Sequence, residues 1–99
     1  MIYKLTKIRE LNRDYGFKDQ IQRAAVSISS YIAEGDESGS NKLSVRYFFI
    51  AKASVAELMT QIIIANEIGY IDFETRACLC NTCEKISSML TNLIKVRKE

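Results

Sequence analysis

From Asn41 to Ile68 the chain runs without a glycine or a proline, and this stretch limits its fold more than any other. Phe48, Ala51, Val55, Leu58, Ile62 and Ala65 recur at the alternating three- and four-residue spacing of one helix face, which predicts an α-helix with a wholly apolar stripe. Beside it lies Tyr47, Ile50, Ser54, Glu57, Gln61, Ile64 and Ile68, and a further stripe adds Val45, Phe49, Ala56, Met59 and Ile63. Consecutive helical residues are about 100° apart, so Ile62, Ile63 and Ile64 together sweep roughly 200° of the circumference. One neighbouring helix cannot cover that arc. A helix apolar most of the way round is buried on several sides, which a small monomeric bundle rarely provides. The surplus therefore predicts that another copy of the chain covers the outer face, with Phe48, Phe49, Met59, Ile62 and Ile63 as candidate interface residues.

With no proline in the chain, glycine does the punctuating, at Gly16, Gly35, Gly39 and Gly69. Four helical segments follow. Ile2 to about Asn12 carries Ile2, Leu5, Ile8 and Leu11 at helical spacing over barely three turns. About Lys18 to Glu34 carries Ile21, Ala25, Ile28 and Ile32 inward and Gln20, Arg23, Ser27, Ser30 and Glu34 outward. The long segment ends at Gly69, placed for a left-handed cap, and Asp72 is the N-cap of the last segment. That segment, about Phe73 to Val96, turns Leu79, Cys83, Ile86, Leu90 and Leu93 inward and Asn81, Glu84, Ser88, Asn92 and Lys95 outward. No segment alternates with a period of two. Residues 1–99 therefore predict one all-α domain, an antiparallel up-down four-helix bundle with a shortened first helix.

Composition narrows the chemistry. Without a single histidine, the chain lacks His-based acid/base catalysis, Ser/His and Cys/His nucleophile pairs, His-ligated metals and the Arg-then-His pattern of bundle ribonucleases. Cys78, Cys80 and Cys83 resemble a metal cluster in one dimension only. On a helix, Cys78 and Cys80 point about 200° apart, so these are core-filling thiols and no cofactor is expected. Glu34-Gly35-Asp36-Glu37-Ser38-Gly39-Ser40 is an acidic interhelical loop without the lysine a phosphate cradle needs, and Ser40 or Asn41 caps the long helix.

Glu57 and Gln61 fall between Ile50 and Ile64, and a carboxylate turned inward must be answered; Glu34, Arg46, Glu57 and Gln61 are the candidate polar network, fixing register or a subunit interface. The formal charge of +2 gives no strong field for nucleic acid or membranes. Basic residues gather at the two ends of the sequence, however, and Lys4, Lys7, Arg9, Lys95, Arg97 and Lys98 are the candidate contacts for nucleic acid or a protein partner. No run of residues approaches the roughly 20 apolar positions that span a bilayer, and the charged start lacks the apolar core of a signal peptide, so the expected location is cytoplasmic with no membrane partner.

Two ordered blocks resemble a known family. Tyr15-Gly16-Phe17, Asp19-Gln20-Ile21, Arg23-Ala24-Ala25-Val26-Ser27-Ile28 and Ile32-Ala33-Glu34-Gly35 form the first. Arg46-Tyr47-Phe48, Ile50-Ala51, Ser54, Glu57-Leu58, Thr60-Gln61 and Gly69-Tyr70-Ile71 form the second. They are similar to the four-helix-bundle proteins encoded by intervening sequences within some bacterial large-subunit rRNA genes. The resemblance implies an up-down four-helix bundle assembled into a ring-like homopentamer, with no established enzymatic activity. A relative in that family, the accessory protein of diversity-generating retroelements, forms a basic barrel that engages nucleic acid. This chain departs from the pattern at Ser29-Ser30-Tyr31 and at Leu43, where relatives commonly carry Pro-Ser-Asn and Glu. The resulting expectation is a non-enzymatic homo-oligomeric ring that presents a repeated surface to RNA or DNA. The alternative is a protein-binding adaptor with no nucleic-acid contact.

Overall fold

A computed structural model describes Leu11 and residues 13–98, and these residues are helical throughout apart from caps and turns. Three long helices follow one another: α1 (Tyr15–Glu37), α2 (Asn41–Glu67) and α3 (Phe73–Lys98). The expected first helix, Ile2 to Asn12, lies outside the described residues except for Leu11, which is fully buried in the same core as the other three segments. Among the described residues the fold is therefore three helices and no strand.

Each helix begins where a side chain can satisfy its free amides. Asp14 Oδ1 accepts from Phe17 N at 3.0 Å, Ser40 Oγ from Leu43 N at 3.2 Å, and Asp72 Oδ1 from Thr75 N at 2.7 Å. The Asp14 cap starts α1 before Gly16, three residues ahead of the expected start at Lys18. Gly69, with φ of 86°, closes α2: Tyr70 N donates to the Ala65 carbonyl at 2.8 Å and Gly69 N to the Asn66 carbonyl at 3.1 Å, the paired bonds of a Schellman cap.

Gly35 does not punctuate as expected. It is buried inside α1, which continues to Glu37. The Phe48 ring lies where a side chain at position 35 would stand, with ring carbons 2.6 and 2.8 Å from the Cβ position. Glycine is present here for close approach of two helices, not for a turn.

The core follows α2. Phe48, Ala51, Val55, Leu58, Ile62 and Ala65 are all buried, with Ile21, Ala24 and Ile28 of α1 and Leu79, Cys83, Leu90 and Ile94 of α3 packed against them. α2 touches both neighbours extensively along its length. By length and composition α2 could cross a membrane, its most apolar 18 residues having a mean hydropathy of 1.6. Six of its apolar side chains, however, fill the space between α1 and α3.

Candidate functional site

The chain folds back twice, so α1 and α3 run in the same direction and end together. At that end Ser44, fully buried in the first turns of α2, joins the three helices. Its hydroxyl donates to the Gly35 carbonyl at 2.6 Å and shares a hydrogen bond of 2.6 Å with the Ser38 hydroxyl, and Arg97 Nη1 approaches it at 3.4 Å. The Ser40 carbonyl lies 3.1 Å from the same hydroxyl, so several groups share it. Arg97 also pairs with Asp36 at 3.5 Å and sits over the Phe48 ring, 6.0 Å from its centroid. This residue, a candidate nucleic-acid contact from sequence, is a strut between α3, α1 and α2.

Around that strut the charge divides by side. Glu34 and Glu37, one turn apart near the end of α1, are exposed and border a groove of about 450 Å³ lined also by Leu43 and Tyr47 of α2. Tyr47 stacks on Tyr31 with centroids 6.1 Å apart and planes at 24°, which fixes the groove floor. On the other flank of α2, Lys95 and Lys98 are exposed near the end of α3, and Lys98 Nζ stands 5.4 Å from the Phe49 ring centroid. Between the flanks runs the face of α2 that is uncovered among the described residues: Leu43, Arg46, Ala53, Glu57, Thr60, Ile64 and Ile68 are all exposed.

This placement changes several expectations. Phe48 and Ile62 cannot contact another subunit, because both are buried in the chain's own core. Met59 and Ile63 are half-buried on the α3 side, and Phe49 alone of the five candidates is exposed, at 49%. Glu57 faces outward, since it shares with Arg46 and Ile64 the side of α2 that neither α1 nor α3 covers among the described residues. Among the described residues no hydrogen bond or ion pair joins Glu34, Arg46, Glu57 and Gln61, and the first three are exposed. Gln61 is only 7% exposed, and its side-chain carbonyl has no donor. Lys4, Lys7 and Arg9 lie outside the described residues.

The three thiols differ by burial: Cys78 exposed, Cys80 half-buried, Cys83 buried. Burial pushes the Cys80 thiol up, and raises that of Cys83 to about 11, with nearby Cys80 adding to the effect. Neither is a poised nucleophile. At the opposite end the Tyr70 hydroxyl donates to Asp14 Oδ2 at 2.9 Å, a bond that lifts its pKa, and Tyr70 meets Phe17 edge-on at 5.8 Å. Asp72 is held below the usual carboxylate range by its bonds to Thr75.

Among the described residues the arrangement offers a surface, and comparison with known proteins gives a family. The family model for the 23S rRNA-intervening sequence protein matches residues 1–92. The chain belongs to that family. No curated protein matches it. The 23S rRNA-intervening sequence protein family comprises small helical proteins not known as enzymes. Its match takes in all of α1 and α2 and most of α3, so the buried Gly35–Phe48 contact and the exposed face of α2 both belong to the matched region.

Proposed function

We propose that this protein is a non-enzymatic assembly unit: a helical bundle that forms a homo-oligomeric ring, a pentamer by family resemblance, and offers a repeated surface to a macromolecular partner. The exposed apolar side chains of α2 carry this reading. Leu43, Phe49, Ile64 and Ile68 are 40, 49, 39 and 52% exposed on the helix that otherwise supplies most of the core. Isolated apolar side chains on a surface are ordinary; four on the helix that builds the core, with Arg46, Glu57 and Thr60 exposed among them, support a mixed interaction surface.

Native mass spectrometry tests the assembly. The expected species is five copies of the 11.3 kDa chain; a folded monomer at every concentration overturns the reading. The repeated surface is tested by gel shifts with RNA and DNA at two salt concentrations. Binding through Lys95 and its symmetry copies falls steeply as salt rises, because phosphate contacts release counterions. Binding that ignores salt, or is found only with a protein, supports the adaptor alternative.

A further inference from the structure

The two flanks of α2 are complementary in both charge and spacing. Glu34 and Glu37 are separated by three positions near the end of α1; Lys95 and Lys98 are separated by three near the end of α3. Neither carboxylate has a cationic partner within 4 Å among the described residues, and neither ammonium has an anionic one. Arg97 ties α3 to Asp36 of α1 and approaches Ser44 of α2, so both pairs stand at the same end of the molecule. Each pair also has its own apolar component. The carboxylates rim a groove lined by Leu43 and Tyr47, and Lys98 of the lysine pair stands over the half-exposed Phe49 ring.

We infer that the groove between α1 and α2 receives the Phe49–Lys95–Lys98 edge of a second copy of the chain. This inference rests on the assembly reading above and specifies its contact. The two surfaces differ, so the contact is heterologous, the kind that closes into a ring when the rotation permits. A rotation axis running along the bundle keeps equal heights together, which brings the lysine pair of one copy to the glutamate pair of the next. The carboxylates fix the register, and the Phe49 ring loses its exposure against Leu43 and Tyr47. An RNA or DNA contact at Lys95 and Lys98 would compete with this use of them, so nucleic acid is an outcome that the test separates.

Three variants supply that test: Glu34→Lys with Glu37→Lys, Lys95→Glu with Lys98→Glu, and all four together. Mass is followed by native mass spectrometry and sedimentation across a dilution series, with circular dichroism confirming helical content. Each double reversal places like charges in the contact, and the expected result is at least a ten-fold rise in the concentration needed for assembly. The fourfold variant restores complementarity within every contact and recovers the wild-type mass. Double variants that assemble as the wild type does overturn the inference and leave the assembly reading intact. Failure of the fourfold variant to recover also overturns it, including where a double variant loses its fold. A wild-type chain that never assembles overturns both. Loss of RNA binding in Lys95→Glu/Lys98→Glu with an unchanged mass shows the lysines serving nucleic acid instead, and overturns the inference too.

Discussion

At position 35 there is no room for a methyl group. The carbons of the fully buried Phe48 ring occupy its place, and that ring is itself pinned by α3 through Arg97. Gly35→Ala therefore overpacks the core, with an expected loss of about 1–3 kcal/mol, measured by chemical denaturation with helical content as the signal. Gln61 is the reverse case. Its buried carbonyl has no donor among the described residues, so Gln61→Met removes a polar group without opening a cavity; its melting temperature is expected to equal or exceed the wild-type value. Cys83 makes a pH prediction. Its thiol is raised from the usual 9.0 to about 11, so the folded state favours the protonated form. That contribution is fully present below pH 9 and is lost as pH climbs through about 11. Thermal melts from pH 8 to 11 should fall more steeply for the wild type than for Cys83→Ala, and a thiol reagent at neutral pH should modify Cys78 well before Cys83.

At the scale of the helix, caps explain most of what was legible and what was not. The α2 limits, Asn41 and Glu67, agree with the sequence to one residue because Ser40 opens the helix and Gly69 ends it in the only residue type that takes a φ of 86° without strain. The outward row Asn81, Glu84, Ser88, Asn92 and Lys95 of α3 is likewise exposed as its spacing predicts. The limits of α1 were misread because Gly16 and Gly35 look like breaks; one follows a capping aspartate, and the other serves a ring that is thirteen positions away in sequence. Glu57 was misplaced for a related reason. An apolar stripe identifies the centre of a buried face, but its edges depend on which neighbours exist, and no spacing rule supplies those. Asp14 shows how much one cap can hold, since it accepts from Phe17 N and from the Tyr70 hydroxyl, joining the start of α1 to the end of α2. Asp14→Ala should cost about 1–2 kcal/mol, and Asp14→Asn should keep most of that, as compared by thermal melts.

For the molecule as a whole, apolar surplus in α2 pointed to self-association, and the structure locates the exposed part of it. Phe48 and Ile62 read from sequence as subunit contacts yet lie in the core, because spacing marks apolar positions without dividing a chain's own core from what lies outside it. Assembly has a thermodynamic signature that requires no variant. Association stabilises the folded state by mass action, so the melting temperature should rise with protein concentration; a value constant over a hundred-fold range would show that the chain needs no copies of itself.

The parallel course of α1 and α3 has a further consequence. Their last turns share one end with the start of α2, while Tyr15, Ile68 and Phe73, at 77, 52 and 67% exposure, all lie toward the other. Copies repeated around an axis along the bundle would therefore stack like with like, producing an object with heads and tails: a crown of alternating charge above, and below it aromatic and aliphatic side chains set among Arg13, Glu67, Asp72 and Glu74. A visitor to such a disc would meet different chemistry on its two sides, and could tell which way up it was.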